Sequence, residues 1–204
     1  MSKTGNCNYF STIFKKLERR EEIRIVGLGD SLTYGWEASF SYFDLFISKL
    51  RANYCGVTIQ GHNAGICGDT AAGGERRVVA LLAPPTDAVI VQFGINDLYS
   101  EVPIAGYKAS MGAICRKIIR AGAIPLPITS GPLLYSDQQK KIAPYYRAIK
   151  EITEAYECPF ADVAERWHKR HANLKDLYFE DGVHPNDSGY HAMADALYEI
   201  CYEL

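Results

Sequence analysis

Three side chains in this sequence have the chemistry of a nucleophile, a general base and a carboxylate that orients the base: Ser31, His184 and Asp181. A serine hydroxyl becomes an effective nucleophile when an imidazole removes its proton, and the imidazole works best when a carboxylate holds its other nitrogen. Asp181 and His184 share an Asp-Gly turn, and Pro185 biases His184 toward an extended backbone. The turn therefore lets Asp181 accept from the Nδ1–H of His184 and leaves Nε2 free for Ser31. Taken alone, the segment also fits a plain surface turn.

The serine occurs where an apolar run stops abruptly. Residues 23–28 have the length and the β-branched composition of a buried strand. Gly29 and Gly35 flank Ser31 and permit tight or positive-φ backbone geometry. A serine on such a turn serves as a helix cap, a phosphate ligand or a nucleophile, and the local sequence does not choose among the three.

A hydrolase that passes through a tetrahedral oxyanion also needs fixed hydrogen-bond donors. Gly65 lets a main-chain N–H approach a substrate oxygen closely, Asn96 carries a side-chain amide after a predicted strand, and Ser31 adds its own N–H. Each residue also has an ordinary explanation, such as a tight bend for Gly65 or an Asx-turn for Asn96. The three donors form an oxyanion hole only if the fold brings their segments together.

The alternation of strand and helix patterns indicates how these residues are positioned. We predict strands at 23–28, 57–60, 88–93, 124–129 and 159–163, and helices near 10–17, 40–52, 74–82, 105–121, 138–156 and 188–202. Such alternation gives a doubly wound α/β domain with a parallel sheet, whose ligands bind beyond the carboxyl ends of the strands. Pro125 and Pro127 favour an outer position for the fourth strand, because proline donates no ladder hydrogen bond. We expect residues 1–204 to form a single domain, in which residues 1–22 supply an N-terminal helix leading into the first strand.

Composition narrows the classes of function. The chain has 204 residues, of which 48% are hydrophobic and 23% charged, and its net charge is −2, so we expect no nucleic-acid partner. No stretch is long and apolar enough to suggest a signal peptide or a membrane span. The six cysteines are scattered without metal-like clustering, which favours reduced thiols in a cytoplasmic protein. The sequence leaves the oligomeric state open.

Four short blocks carry a family resemblance: GDSLT at 29–33, NAGICGDT at 63–70, GIND at 94–97 and DGVHPN at 181–186. In order and spacing they resemble the four blocks of the SGNH (GDSL-type) hydrolases, a family of serine esterases and lipases. The resemblance extends from about Arg24 to the C-terminal helix. One departure is Cys67, which stands where the second block often has serine; it is either a packing residue or a thiol near the site.

The resemblance implies roles for individual residues. Ser31 would be the nucleophile, His184 the general base and Asp181 its orienting carboxylate. The N–H groups of Ser31 and Gly65 and the amide of Asn96 would form the oxyanion hole. Family membership also implies a flavodoxin-like, three-layer α/β/α fold with a five-stranded parallel sheet in the order 2-1-3-4-5.

The resulting hypothesis is a serine esterase that hydrolyses carboxylic esters or thioesters, with short acyl groups preferred and no cofactor or metal. Trp36, Tyr99 and Tyr135 lie just past predicted strand ends or in loops, and we expect them to wall a shallow substrate pocket. The alternative is a flavin or nucleotide binding protein that uses residues 29–35 as a phosphate loop on the same fold. The Asp181–His184 pair favours the esterase, since a flavin binder has no need of it.

Overall fold

A parallel four-stranded sheet lies at the centre of the computed structural model, which describes residues 9–171 and 173–203. Its strands are β1 (Ile23–Gly29), β2 (Ile59–Gly65), β3 (Ala88–Gln92) and β4 (Ile124–Pro127). The spatial order is β2-β1-β3-β4, so the chain reverses its direction of winding between β1 and β3. The α/β class, the parallel pairing and the order of the first four strands are confirmed.

Helices connect and flank the strands. They are α1 (Tyr9–Glu18), α2 (Ser31–Tyr34), α3 (Tyr42–Asn53), α4 (Ala71–Leu81), α5 (Ile95–Tyr99), α6 (Ile104–Arg120), α7 (Ser136–Ala155), α8 (Val163–Arg170) and α9 (Asp187–Glu203), with a 3₁₀ turn at Lys175–Leu177. The six predicted helices are present with small changes of boundary. Of the other three helices in the described ranges, α2 and α5 begin just beyond the carboxyl ends of β1 and β3, and α8 follows Ala161.

The helices form two layers, one on each face of the sheet. On one face α3 packs against α9, and on the other α4 packs against α6. Right-handed crossovers explain this division, because the step from β1 to β2 runs opposite to the later steps toward β3 and β4. Between the layers, β1 and β3 are buried along almost their whole length. The central strands are therefore rigid supports for whatever follows them.

The predicted fifth strand is reduced to one parallel bridge, between Ile128 and Ala161. The reason lies in β4, where Ile124 and Ile128 direct their N–H groups toward the β3 side. The intervening Pro125 and Pro127 would face a fifth strand with carbonyls alone. Pairing there starts only at the carbonyl of Pro127, which accepts from Ala161, after which Thr129 N–H donates to the Ala161 carbonyl. The expectation of a full fifth strand was wrong, and Ala161 marks its place.

Strand β2 also differs from its predicted bounds, since it runs through Asn63 to Gly65 rather than ending at Gln60. Its residues pair in register with β1, and Gly65 lies opposite Gly29. A strand at this point carries little apolar character of its own. Pairing with a buried neighbour strand, rather than local propensity, therefore decides its length.

The paired glycines at the ends of β1 and β2 allow a close approach of α2. A Cβ added at Gly65 would overlap the main-chain nitrogen of Tyr34, and one added at Gly29 would overlap the hydroxyl of Thr33. Only residues without a side chain leave room for α2 to rest on the sheet at this edge. The position of the first turn after β1 is thus set by backbone contact.

None of the helices in the described ranges is both long and apolar enough to cross a membrane. The cysteines within those ranges are free thiols, buried at Cys115 and Cys201 and exposed at Cys55 and Cys67. Cys7, together with the remainder of residues 1–8, lies outside the described part of the chain.

We predict that Gly65→Ala lowers the free energy of unfolding by about 1–3 kcal/mol, because the new methyl group must displace the backbone of α2. Gly106→Ala is the matched control. It lies in helix α6, where the nearest atom to an added Cβ is 3.7 Å away, so alanine should stabilise by up to about 1 kcal/mol. Denaturant unfolding of both variants measures the difference. Equal effects would contradict the close approach.

Candidate active site

Ser31 is the first residue of α2 and follows the carboxyl end of β1 by two positions. The Asp30 carboxylate accepts from the Leu32 N–H at 3.0 Å and caps the short helix. The Ser31 side chain lies in the floor of the site, with 8% of the residue exposed. Its Oγ is 2.9 Å from Nε2 of His184, a residue 153 positions away in sequence. The strand, the cap and the helix together fix the hydroxyl.

The base and its carboxylate share the loop before α9. Asp181 Oδ2 lies 2.6 Å from His184 Nδ1, while Oδ1 accepts from the N–H groups of Val183 and His184, both at 2.9 Å. Burial opposes ionisation of Asp181, but these hydrogen bonds prevail and hold its pKa below the ordinary value of 3.8. The carboxylate is therefore charged at neutral pH and oriented on the imidazole.

The structure does not present Gly65 as an oxyanion donor. Its N–H donates to the side-chain Oδ1 of Asn63 at 3.0 Å, so this donor is already engaged. The same Asn63 side chain donates from Nδ2 to the Thr33 carbonyl at 2.7 Å. Gly65 therefore serves the close approach of α2, and Asn63 binds the end of that helix to β2. The predicted role of Gly65 needs correction.

Gly68, three residues after Gly65, offers another main-chain N–H, which was not predicted as a donor from the sequence. The Asp69 N–H donates to the Ile66 carbonyl at 3.1 Å, which closes a β-turn over residues 66–69. Gly68 occupies the third position with φ +77°, as a type II turn requires. Its N–H takes no part in the hydrogen bond that closes the turn, and among the described residues no acceptor binds it. The Cys67-Gly68 dipeptide could have indicated this turn from the sequence, because glycine is favoured at the third position of a type II turn.

Asn96 lies in the first turn of α5, immediately beyond β3. Its Nδ2 donates to the Asp69 carbonyl at 3.0 Å, on the same turn-bearing segment as Gly68. A primary amide has a second N–H, so this bond fixes the side chain while leaving one donor for a ligand. The segments after β2 and β3 thus meet beside the segment after β1, as the topology predicts.

Aromatic residues surround the base. Trp36 lies against His184 with 4.3 Å between ring centroids, and Tyr99 and Tyr135 are about half exposed. Burial raises the pKa of Tyr99, and the charge of Asp181 raises it further, so this ring lies within electrostatic range of the base loop. The Tyr135 hydroxyl donates to the Glu180 carbonyl at 2.8 Å, next to Asp181. Two of the three residues predicted to wall the pocket, Trp36 and Tyr135, therefore contact the loop that carries Asp181 and His184.

A second link joins the α2 region to the base loop. The Asp187 carboxylate, at the start of α9, accepts from the Ser39 N–H at 2.7 Å and from its hydroxyl at 3.0 Å. Ser39 follows Trp36 by three residues and Asp187 follows His184 by three, so this pair holds together the segments that carry the two packed rings.

A buried polar network lies beneath the nucleophile. Asp30 accepts from the Gln92 amide at 3.3 Å, Gln92 accepts from the Thr33 hydroxyl at 3.2 Å, and Thr33 lies 2.9 Å from the Tyr42 hydroxyl. All four residues are fully buried. Burial raises the pKa of Asp30 to about 7, against the opposing hydrogen bonds from Leu32 and Gln92. A carboxyl group that resists ionisation therefore supports the start of α2.

Within residues 9–171 and 173–203, no cluster of three or more His, Cys, Asp or Glu side chains is arranged to hold a metal ion. His168 lies in the last turn of α8 and is separated from His171 by Lys169 and Arg170, whose positive charges oppose a cation there.

Comparison with known proteins points to one family. The model of the GDSL-like lipase/acylhydrolase family matches residues 28–192. A search of curated proteins finds no match. Similar solved structures include a catalytic mutant of an acetylxylan esterase from Geobacillus stearothermophilus (20% identity, TM-score 0.79, covering 88% of this chain and 94% of that one).

Two further structures share the fold. An α/β-hydrolase enzyme from the metagenome of Lake Arreo is 19% identical with a TM-score of 0.78, over 90% of this chain and 97% of that one. A lipase/acylhydrolase from Enterococcus faecalis is 24% identical with a TM-score of 0.74, over 89% and 97%.

The raised pKa of Asp30 predicts an unusual pH dependence of stability. Because the folded state binds this proton up to about pH 7 and the unfolded state releases it near its ordinary value of 3.8, stability from Asp30 is full at low pH and is lost as pH rises between those values. Relative to Asp30→Asn, the wild-type free energy of unfolding should fall by about 3 kcal/mol from pH 4 to pH 7. Denaturant unfolding across this range measures it, and parallel curves for the two proteins would contradict it.

Proposed function

Because the chain belongs to the GDSL-like lipase/acylhydrolase family and is a carboxylic ester hydrolase, we propose that Ser31 forms a covalent acyl-enzyme with the ester. The observation that supports this most directly is the line of contacts from Ser31 Oγ to His184 Nε2, at 2.9 Å, and from His184 Nδ1 to Asp181 Oδ2, at 2.6 Å. Nucleophile, base and orienting carboxylate stand in the order that proton transfer requires.

The proposed reaction proceeds in two halves. Ser31 Oγ attacks the ester carbonyl carbon while its proton passes to Nε2 of His184, and the Asp181 carboxylate stabilises the resulting imidazolium. The tetrahedral intermediate collapses as Nε2 returns the proton to the departing alcohol or thiol, leaving an ester on Ser31. Water then attacks this acyl group with His184 again as base, which releases the acid and restores the hydroxyl.

The oxyanion requires donors that are in place before the reaction begins. We assign this role to the Ser31 N–H at the start of α2, the Gly68 N–H at the tip of its turn and the second amide hydrogen of Asn96. The hydrogen bond from the Gly65 N–H to Asn63 argues against Gly65 as a donor, and the unengaged N–H of Gly68 among the described residues supports Gly68 instead. The Asn96–Asp69 bond supports the placement of the amide beside this turn.

For the substrate we propose small esters with short acyl groups. Trp36, Tyr99 and Tyr135 place bulky rings around the base loop, where a long acyl chain would otherwise lie. One structural neighbour is described as an acetylxylan esterase, which is consistent with an acetyl group but does not extend its sugar to this chain. The matched family consists of acylhydrolases, so the alternative of a flavin or nucleotide site at residues 29–35 has no observation in its favour.

Ser31→Ala should remove nearly all hydrolysis of p-nitrophenyl acetate, because loss of the nucleophile costs on the order of 10⁶ in kcat in serine hydrolases. Ser48→Ala, on the exposed face of α3, is the matched control and should retain full activity. Thermal unfolding checks that both variants fold. Retention by Ser31→Ala of more than roughly a tenth of the wild-type rate, a loss below ~1.4 kcal/mol, would refute the assignment.

The acyl preference is tested with a series of p-nitrophenyl esters. Each added methylene gains about 0.8 kcal/mol only where apolar surface is available to bury it, so we expect kcat/KM to be highest at about two to four acyl carbons and to fall beyond about eight. A steady rise toward palmitoyl esters would instead reveal a long apolar groove.

A further inference from the structure

Arg77 in α4 reaches from the helix to three separate segments of the site. Its Nε donates to Asp69 Oδ2 at 2.9 Å, Nη1 to the Ala64 carbonyl at 2.6 Å and Nη2 to the Gly29 carbonyl at 3.0 Å. The side chain is only 20% exposed and that of Asp69 is 13% exposed, so solvent screens this pair little. One guanidinium therefore joins the ends of β1 and β2 to the turn that follows β2.

Two of these three acceptors lie within two residues of a proposed oxyanion donor. The Gly29 carbonyl precedes Ser31 by two residues, and Asp69 directly follows Gly68. The main-chain carbonyl of Asp69 accepts the bond from Asn96 Nδ2 at 3.0 Å, so the residue that Arg77 holds through its side chain holds Asn96 through its backbone. Arg77 is thus one or two links away from all three donors.

We propose that Arg77 is a positioning residue for the oxyanion hole, an inference that rests on the proposed function. By bonding to Gly29, Ala64 and Asp69 together, it holds the Ser31 N–H, the Gly68 N–H and the Asn96 amide in a fixed mutual arrangement. Preorganised donors stabilise a developing oxyanion because they need not move as the charge forms. The role requires the rigid guanidinium fork, which offers several donors in one plane, whereas a lysine ammonium is a point charge on a flexible stem.

The geometry separates this role from that of a simple ion pair. Neutralising Asp69 would need a single N–H, yet two further N–H groups of Arg77 bind neutral carbonyls. The Gly29 carbonyl also accepts from the Ile66 N–H at 3.1 Å, so the turn after β2 is anchored to β1 both directly and through Arg77. These contacts constrain relative position and contribute nothing to charge balance.

The test compares Arg77→Ala and Arg77→Lys with Arg76→Ala, a matched control whose side chain is exposed on the same helix. With p-nitrophenyl acetate we expect Arg77→Ala to lower kcat by about 100-fold with KM nearly unchanged, since misplaced donors weaken transition-state binding alone. Arg77→Lys should fall between the wild type and Arg77→Ala, and Arg76→Ala should match the wild type. A rise in KM at constant kcat would overturn the proposal.

A double-mutant cycle with Asn96→Ala supplies a readout that a purely structural role would leave unmoved. If Arg77 acts through Asn96, the loss of kcat in the double variant should be smaller than the product of the single losses by at least about tenfold. Losses that multiply independently, in variants that are folded at the assay temperature, would overturn the proposal.

The outcomes separate this inference from the proposed function. Absence of ester hydrolysis by the wild type, or full activity in Ser31→Ala, would refute the function itself. A wild type that hydrolyses the ester through Ser31, together with an Arg77→Ala variant of equal kcat, would refute only the role of Arg77. If Arg77→Ala does not fold, Arg77→Lys carries the same test, and a wild-type kcat in that variant overturns the proposal.

Discussion

The close approach of α2 to the sheet is the contact on which the site depends. Helix α2 rests on the carboxyl ends of β1 and β2, where Gly29 and Gly65 have no side chains to hold it away. Ser31 is the first residue of that helix, so the position of the hydroxyl follows from a backbone contact rather than from the flexibility of a loop. Backbone packing of this kind allows little adjustment, because protein interiors are close-packed. The hydroxyl consequently meets a base that is 153 residues distant in sequence.

Polar groups beneath and beside α2 complete its support. From below, the chain from Asp30 through Gln92 and Thr33 joins the helix to β3. From the side, Asn63 binds the Thr33 carbonyl. Burying the Asp30 carboxyl is unfavourable for its charged form, which is why its pKa is raised to about 7. Burial of Asp30 next to the nucleophile therefore lowers the free energy of unfolding at neutral pH. Functional sites commonly reduce stability in this way.

The general base, His184, is positioned by a different set of contacts. The loop that carries Asp181 and His184 precedes α9 and belongs to no strand of the sheet, so it needs its own anchors. Asp187 supplies one through Ser39, and the packing of Trp36 against His184 supplies another. Ser31 is thus anchored at the strand ends and His184 through the loop before α9. Together these two sets of contacts fix both partners of the proton transfer.

The sequence by itself determined the fold class, because the alternation of strand and helix patterns is local. The family resemblance of the four short blocks implied the order of the first four strands and the candidate residues Ser31, Asp181, His184 and Asn96. The tertiary structure decided the rest. It reduced the fifth strand to a bridge at Ala161, because the edge of β4 that the prolines face depends on strand pairing. It also bonded the Gly65 N–H to Asn63 and left the Gly68 N–H without an acceptor among the described residues. It also gave Arg77 its three acceptors, which come from separate segments of the chain. A hydrogen bond requires a donor that points toward its acceptor, and these directions are set only when segments distant in sequence pack together.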